Sequence, residues 1–274
     1  MKTDIYIVIP ARYASSRLPG KPLIKIAGTE MIKRVAQIAD AVCRKNKGCR
    51  YVVATDDERI ENFCRNNELN VVMTSVDCKN GTERCRDAVL QLKEQPQLII
   101  NLQGDNPLCP PWIIQNMIDQ WKNSKADLYT PCVHLNWGEY DELKRSKEVT
   151  PYSGTTVMID KNGYALVFSK NIIPAIRKEE TAKEKLDKSP VFRHIGLYAY
   201  TYQALKEYFT NDESVYEQGY IEGLEQMRFL YNGLKIKMVE VDYRGRATTA
   251  GVDSPEDLAR VEAILKEYGE FDLD

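Results

Sequence analysis

Residues 8–23 read Val-Ile-Pro-Ala-Arg-Tyr-Ala-Ser-Ser-Arg-Leu-Pro-Gly-Lys-Pro-Leu, and the apolar run Ile5–Ile9 that leads into them predicts a buried first strand. Three cations follow at intervals of four to five residues: Arg12, Arg17 and Lys21. Small residues between them allow backbone N–H groups to turn inward, and guanidinium groups match phosphate oxygens bidentately. Because ligands of α/β proteins lie at the carboxyl ends of strands, this loop favours a polyanion site over a solvated surface loop.

The loop differs from two familiar nucleotide-binding loops. A Walker motif requires Gly-x-x-x-x-Gly-Lys-Ser/Thr, whereas Gly20-Lys21 is followed by Pro22 and has no glycine five residues before it. The sequence also contains no Gly-x-Gly-x-x-Gly. It therefore argues against a P-loop NTPase and against a dinucleotide-binding dehydrogenase.

Composition excludes several classes of protein. The chain has 274 residues, is 43% hydrophobic and 28% charged, and carries a net charge of −2, so it has no basic field for nucleic acid. Its apolar runs are too short for a membrane span or a secretory signal, and we expect no membrane partner. Seven cysteines without a C-x-x-C pair indicate a reducing compartment, hence a cytoplasmic location. With only two histidines, any metal should be a hard cation held by carboxylates.

Strand and helix patterns alternate up to about residue 121. The predicted strands are Ile5–Pro10, Tyr51–Thr55, Val71–Thr74 and Leu98–Leu102. The predicted helices are Met31–Cys43, Ile60–Asn67, Thr82–Leu92 and Trp112–Trp121. The acidic cluster Asp56-Asp57-Glu58 suits a helix N-terminus. This order predicts an α/β fold with a mainly parallel sheet and helices on both faces.

The pattern changes after about residue 127. Further strands are predicted at Leu128–Leu135, Thr155–Ile159, Tyr164–Phe168, Gly196–Tyr200 and Ile236–Val241, without obligatory helices between the first four. Asn162-Gly163 predicts a hairpin, and charge-dense Lys178–Lys188 predicts a mobile loop. A helix is expected over Glu217–Tyr231, and a last helix begins with Ser254 as N-cap and Pro255 in its first turn.

Two aspartates follow segments where an α/β sheet displays its ligands. Asp105 comes after the strand that ends at Gln103-Gly104, and Asp253 precedes the last helix. Two carboxylates opposite cations would suit Mg²⁺ on a nucleoside triphosphate, although Asp253 could equally assist the helix start. The simplest interpretation of Asn80-Gly81 is a cap for the third helix. The same pair could also bring backbone groups close to the base or ribose of a nucleotide, with Arg84 projecting toward phosphate.

Seven motifs in one order resemble the 3-deoxy-manno-octulosonate cytidylyltransferases, and they cover nearly the whole chain. They are Val-Ile-Pro-Ala-Arg-Tyr-Ala-Ser-Ser-Arg-Leu-Pro-Gly-Lys-Pro-Leu (8–23), Ala-Thr-Asp-Asp (54–57), Gly-Thr-Glu-Arg (81–84), Asn-Leu-Gln-Gly-Asp (101–105), Arg-His-Ile-Gly-Leu-Tyr-Ala-Tyr (193–200), Leu-Glu-Gln-Met-Arg (224–228) and Gly-Val-Asp-Ser-Pro-Glu-Asp-Leu (251–258). The first motif is highly specific to this group and its near relatives.

The resemblance implies one Rossmann-like nucleotidyltransferase domain over residues 1–274, with an inserted β-rich subdomain at about 128–200 that forms a homodimer and contributes to acceptor binding. It implies transfer of CMP from CTP to an acidic sugar with Mg²⁺, releasing pyrophosphate. Residues implied to hold the triphosphate are Arg12, Arg17 and Lys21. Residues implied to frame the cytidine are Pro10, Ala11, Gly81, Thr82 and Arg84. Asp105 and Asp253 would hold Mg²⁺ and, with Arg12 and Lys21, form the catalytic set. Residues implied to contact the acceptor are Gln103, which also lies beside the nucleotide, His194, Tyr198, Glu225 and Gln226.

Departures from the family pattern cluster on the acceptor side. Asn106 replaces the family's Glu or Gln before Pro107, Thr155-Thr156-Val157-Met158 replaces Val-Lys-Val-Val, and Ser169-Lys170 replaces Ser-Arg. Lysine cannot reproduce the bidentate carboxylate binding of arginine. The acceptor is therefore 3-deoxy-manno-octulosonate or another small acid, such as a different ulosonic acid or a phosphonate.

Two interpretations from other classes stay open. A non-catalytic nucleotide-binding protein could retain the fold, but both aspartates of the expected metal site are present. An NDP-sugar pyrophosphorylase tends to carry a longer glycine-rich first loop than this chain has. A preference for UTP or GTP over CTP would favour the pyrophosphorylase.

Overall fold

The computed structural model describes residues 4–14, 18–208, 210, 212–247 and 251–273. The chain forms two compact units. Unit 1 comprises Met1–Gln115, Ala199–Leu205 and Tyr243–Asp274, and unit 2 comprises Asn116–Tyr198 and Lys206–Asp242. Within the described ranges, every helix is too short or too polar to cross a bilayer.

The helices and strands alternate through the first half of the chain, as predicted. The strands are β1 (Ile5–Ala11), β2 (Lys25–Ile26), β3 (Thr29–Glu30), β4 (Cys49–Thr55), β5 (Val71–Met73), β6 (Leu98–Asn101), β7 (Leu128–His134), β8 (Thr155–Ile159), β9 (Ala165–Ser169), β10 (Phe192–His194), β11 (Tyr198–Thr201) and β12 (Ile236–Glu240). The α-helices are α1 (Met31–Lys45), α2 (Glu58–Asn66), α3 (Gly81–Leu90), α4 (Pro111–Asn123), α5 (Trp137–Val149), α6 (Glu179–Lys185), α7 (Tyr202–Glu207), α8 (Met227–Tyr231) and α9 (Pro255–Tyr268). Short 3₁₀ turns occur at Lys21–Leu23 and Val215–Glu217.

Unit 1 is built on strands in the order β5-β4-β1-β6-β11. β1 runs parallel to both β4 and β6, and β4 runs parallel to β5. Ile7, Val8 and Ile9 are fully buried, which explains why β1 is a continuous apolar run rather than an alternating one. The predicted α/β class with a mainly parallel sheet is confirmed.

Side-chain caps fix where the helices of unit 1 begin. Asp57 caps α2 by accepting from the Arg59 N–H, and Asn80 caps α3 by accepting from the Glu83 N–H. Ser254 caps α9 in a capping box with Asp257, and Pro255 lies in the first turn. All three helix starts agree with the sequence analysis.

A separate apolar cluster packs α9 against residues from β2, the start of α1 and the loop after β6. Its buried members are Ile26, Met31, Leu108, Val252, Val261, Ile264 and Leu265. Because Val252 belongs to this cluster, the segment that precedes α9 is held beside the loop that follows β6, and the Val252 N–H donates to the Asp105 carbonyl at 2.8 Å. Burial of this cluster therefore places Asp253 next to Asp105.

Unit 2 contains mostly antiparallel strands in the order β9-β8-β10-β7, with β12 parallel to β7. The predicted hairpin joins β8 to β9, and Gly163 supplies a φ of 78° in the turn. Three elements were not predicted: helix α5, which begins with a capping box at Asn136, the short strand β10, and helix α7, which ends in unit 2. The predicted insert at 128–200 lies largely within unit 2, and its role in dimerisation stays a prediction.

Two local predictions in unit 2 are wrong. Part of the segment predicted as a mobile loop, Lys178–Lys188, forms helix α6, because Glu179 pairs with Lys183 one turn later and with Lys144 of α5. The helix predicted over Glu217–Tyr231 is reduced to a 3₁₀ turn and the short α8. Gly223 interrupts it with a φ of 63°, a conformation that helices do not contain.

Candidate active site

Unit 1 contains a cavity of about 390 Å³ at the carboxyl ends of β1 and β6. Nine of the residues implied by the resemblance line it: Pro10, Ala11, Arg12, Lys21, Gly81, Arg84, Gln103, Asp105 and Asp253. Asn80, which the sequence analysis interpreted as a helix cap that could also lie near the nucleotide, lines the cavity too, and three lining residues were not assigned from the sequence: Ala14, Pro22 and Gly104. Arg17 lies outside the described residues.

Lys21 and two carboxylates form the charged centre of the cavity. The Lys21 Nζ donates to Asp105 Oδ2 at 2.8 Å and to Asp253 Oδ1 at 3.1 Å. The lysine side chain is only 13% exposed, whereas the aspartates are 31% and 44% exposed. Charge pairs that are partly withdrawn from water are screened less than surface pairs. Because two carboxylates face one ammonium group, the centre would hold a polyanion only together with a cation.

The first loop is closed by a backbone bond at its base. The Gly20 N–H donates to the Tyr13 carbonyl at 3.0 Å, and Gly20 has a φ of 69°, in the left-handed region that favours glycine. A Cβ at this position would lie 3.1 Å from the Tyr13 ring. The Arg59 guanidinium covers that ring, with its Cζ 3.3 Å from the centroid. Gly20 thus sets the turn that brings Lys21 into the cavity.

The loop after β6 lies directly against the end of β1. The Gly104 N–H donates to the Pro10 carbonyl at 3.3 Å, and a Cβ on Gly104 would be 2.6 Å from that oxygen. Only glycine permits this approach without a backbone shift. The close contact holds Asp105, the next residue, beside the first loop.

Gln103 is placed by two neighbours. Its Nε2 donates to Asn101 Oδ1 at 3.1 Å, and the backbone of Gly81 passes so close that a Cβ there would be 3.1 Å from the same Nε2. Gly81 is the first residue of α3, where uncompensated N–H groups favour anions. Gln103 and Gly81 therefore border one part of the cavity.

Arg84 and Thr82 are anchored in the protein. Arg84 is 1% exposed, and it donates to Asp56 Oδ2 at 2.7 Å and to Thr74 Oγ1 at 2.6 Å, while still lining the cavity. Thr82 is fully buried, and its hydroxyl shares a 2.9 Å hydrogen bond with the hydroxyl of Tyr200. Thr82 is not among the lining residues. Sequence reasoning did not assign Asp56 and Thr74 as partners of Arg84, because they follow β4 and β5 whereas Arg84 belongs to helix α3.

The residues implied to contact the acceptor, other than Gln103, all belong to unit 2. His194 Nε2 is 2.8 Å from the Thr130 hydroxyl, and the Tyr198 hydroxyl donates to Gln226 Oε1 at 3.2 Å. Burial, and then the nearby Lys170 charge, lowers the pKa of His194 to about 3, so its ring is neutral. Burial, followed by the charge of Glu225, raises the pKa of Tyr198 well above its usual value. His194, Tyr198 and Gln226 thus form a buried polar cluster, in which the His194 and Tyr198 ring centroids are 5.7 Å apart, and Glu225 is half-buried.

The cavity offers two carboxylates to a metal ion. Among the described residues, no group of three or more His, Cys, Asp or Glu side chains converges as a protein-only metal site. Asp105 and Asp253, however, each place an oxygen within 3.1 Å of one point, the Lys21 Nζ. Mg²⁺ commonly takes one or two carboxylates together with phosphate oxygens and water, so this donor set fits Mg²⁺ bound jointly with a triphosphate.

Comparisons with known proteins place this architecture among nucleotidyltransferases. A family model described as cytidylyltransferase matches residues 6–236. The chain is 42% identical to a 3-deoxy-manno-octulosonate cytidylyltransferase of Maricaulis maris, over 98% of this chain and 99% of the relative. It is 35% identical to a mitochondrial 3-deoxy-manno-octulosonate cytidylyltransferase of Arabidopsis thaliana, over 95% and 82% respectively. A solved structure of CMP:2-keto-3-deoxy-manno-octonic acid synthetase complexed with CTP aligns with a TM-score of 0.81 at 33% identity, over 96% of this chain and 99% of that one.

Proposed function

This chain belongs to the 3-deoxy-manno-octulosonate cytidylyltransferase family, and we propose that it transfers CMP from CTP to 3-deoxy-manno-octulosonate and releases pyrophosphate. The observation that carries the proposal is the convergence of Lys21, Asp105 and Asp253 in a cavity that Arg12 also lines. Relatives that match almost the full chain support the same activity.

The proposed role of unit 1 is to position CTP and to balance its charge. Arg12 and Lys21 would contact the triphosphate, and Gly81, Gln103 and the end of β1 would border the cytidine. An acceptor oxygen attacks the α-phosphorus in line; the new O–P bond forms as the bond to the β-phosphate oxygen breaks, and pyrophosphate leaves. The side chains that line this cavity act by orientation and electrostatic stabilisation, without a covalent intermediate.

We also propose that Asp105 and Asp253 hold Mg²⁺ together with the phosphates. The two carboxylates converge on one point, and their exposure of 31% and 44% leaves room for water and phosphate ligands. When bound, Mg²⁺ supplies positive charge that neutralises the phosphate oxygens. Lys21 would remain close to both carboxylates and add its own charge.

The acidic acceptor is supported by the polar cluster of unit 2. Gln226 is 2% exposed, and its Nε2 has no hydrogen-bond partner among the described residues. An unsatisfied buried donor is costly unless a ligand completes it. Lys170 adds a positive charge near His194, which suits a carboxylate or phosphonate. These features support an anionic acceptor, and the choice among acids is left to experiment.

We also propose a homodimer, which the resemblance implies, and a cytoplasmic location, which the seven cysteines without a C-x-x-C pair indicate. Unit 2 exposes the apolar side chains of Val149, Tyr152 and Leu166, at 83%, 77% and 58%, which could contribute to a contact between two copies. Light scattering coupled to size-exclusion chromatography tests the dimer, and a mass of one chain at working concentration would contradict it.

The activity is tested by pyrophosphate release with CTP and Mg²⁺ across a panel of acceptors. We expect turnover with 3-deoxy-manno-octulosonate and a clear preference for CTP over UTP and GTP. Turnover with only another ulosonic acid or a phosphonate would support the proposed cytidylyltransferase activity but show that the acceptor is not 3-deoxy-manno-octulosonate. Release with UTP or GTP and a sugar phosphate, but not with CTP, would overturn the proposal.

A further inference from the structure

Two cysteines that do not line the cavity have their sulfur atoms in direct contact. Cys43, in the last turns of α1, and Cys49, the first residue of β4, have their Sγ atoms 2.8 Å apart. Both side chains are half-buried, whereas the other five cysteines are buried. Cys43 and Cys49 thus combine proximity to each other with access to solvent.

The backbone imposes this proximity independently of the sulfur atoms. The turn between α1 and β4 is closed by hydrogen bonds from the Asn46 N–H to the Cys43 carbonyl at 3.1 Å and from the Cys49 N–H to the Asn46 carbonyl at 3.0 Å. The Asn46 side chain also donates to the Val42 carbonyl at 2.9 Å. Each of these bonds fixes one end of the turn relative to the other.

The same turn is attached to the sheet. Gly48 has a φ of 81°, and its carbonyl accepts from the N–H groups of Asp4 and Ile5 at 3.0 Å and 3.3 Å. Ile5 is the register partner of Cys49 in the parallel β1–β4 pair. Sheet pairing therefore holds Cys49 in place while α1 packs Cys43 against it.

We infer that Cys43 and Cys49 form a specific oxidation site, at which a peroxide oxidises the two thiols to an intramolecular disulfide. A separation of 2.8 Å is closer than ordinary sulfur contacts, and a disulfide needs about 2.05 Å. Small rotations of the two side chains can supply the difference. Because the turn between the two cysteines is already ordered, forming the disulfide costs little additional loop-closure entropy in the folded protein.

The reaction balances with peroxide as the two-electron oxidant. One thiolate attacks the peroxide and becomes a sulfenic acid, with the departing oxygen leaving as water. The second sulfur displaces the hydroxyl group of the sulfenic acid, and that hydroxyl leaves with the remaining thiol proton as a second water. The hydrogen bond to Cys49 and then burial raise the pKa of Cys43, and either sulfur can form the sulfenic acid that the other one then attacks.

This site lies at the amino end of β4, while the cavity lies at the carboxyl ends of β1, which pairs with β4, and of β6, which pairs with β1. The inference does not rest on the proposed function. We expect the disulfide to leave CTP turnover unchanged and to raise the thermal unfolding temperature, since it restricts the unfolded chain.

Peptide mapping of the full chain tests the proposal directly. Arg44, Lys45 and Lys47 lie between the two cysteines, so trypsin separates them unless a disulfide joins the fragments 35–44 and 48–50. After brief treatment of the reduced, folded protein with equimolar hydrogen peroxide, we expect loss of two of the seven thiols and one linked peptide pair. Reduction with dithiothreitol should restore both free fragments.

Matched variants and a denatured sample make the outcome decisive. Cys43→Ser should abolish the linked pair and leave Cys49 trapped as a dimedone adduct, whereas Cys64→Ser, at a buried site, should leave the linkage intact. The linkage should form faster in the folded protein than in urea. Equal or slower formation in the folded protein, or peroxide consumption without the 35–44 to 48–50 link, would overturn the inference.

Discussion

Gly104→Ala tests whether the cavity depends on the approach of one backbone segment to another. The added Cβ would lie 2.6 Å from the Pro10 carbonyl oxygen, a backbone atom that cannot rotate away. Ordinary van der Waals contact begins at 3.4 Å, so the loop after β6 must retreat by about 0.8 Å. Asp105 follows directly and moves with the loop.

The magnitude follows from this forced movement. Overpacking of this kind costs about 1–3 kcal/mol, which corresponds to a fall of about 2–12 °C in the unfolding temperature of a protein this size. A displacement approaching 1 Å of a group that positions substrate can lower turnover on the order of 10²-fold. We therefore expect a folded, less stable and much less active enzyme.

Thermal unfolding followed by circular dichroism and pyrophosphate release with CTP provide the two readouts. Gly219→Ala is the control, since a Cβ there meets nothing within 4 Å and should change neither measurement. A Gly104→Ala protein with wild-type unfolding temperature and wild-type turnover would refute the argument that this contact positions Asp105.

Three further predictions concern charged and titratable groups. Arg84→Met should lower the free energy of unfolding, measured by urea titration, by about 3–5 kcal/mol, because it leaves Asp56 and Thr74 without their buried partner. The control Arg59→Met, at the surface, should leave the free energy of unfolding close to that of the wild type. The pKa of His194 is lowered to about 3 in the folded protein, so between about pH 6.5 and pH 3 only the unfolded chain binds this proton, and the free energy of unfolding should fall by about 1.4 kcal/mol per pH unit on acidification. His194→Gln should remove this part of the pH dependence, and an unchanged dependence would contradict the assignment. Asp105→Asn and Asp253→Asn should each lower turnover by roughly 10²–10³-fold with circular dichroism unchanged, and near-wild-type activity in either would remove that residue from the proposed metal site.

Much of unit 1 follows from local sequence. The apolar run before Pro10, the caps at Asp57 and Asn80, and the Ser254-Pro255 start of α9 are short-range patterns, and each agrees with the structure. The edge of the sheet where ligands lie was predictable for the same reason, because strand ends can be read from the chain.

The partners of the site residues were not predictable, because they come from distant parts of the chain. Lys21 meets Asp105 across 84 residues and Asp253 across 232 residues. Arg84 could be singled out from its motif, but its pairing with Asp56 depends on how β4 and β5 pack beside α3. In unit 2, Glu179 pairs with Lys183 within α6 and with Lys144 of α5, and these pairs stabilise a helix where the sequence predicted a loop.

The most direct test of the central claim is phosphorus NMR of the wild-type enzyme with CTP, Mg²⁺ and 3-deoxy-manno-octulosonate. We predict that the α-phosphate signal of CTP is replaced by one phosphodiester signal while pyrophosphate appears in equal amount. Cleavage between the β- and γ-phosphates, or an unchanged CTP spectrum with enzyme shown to be folded and to bind CTP, would contradict the account.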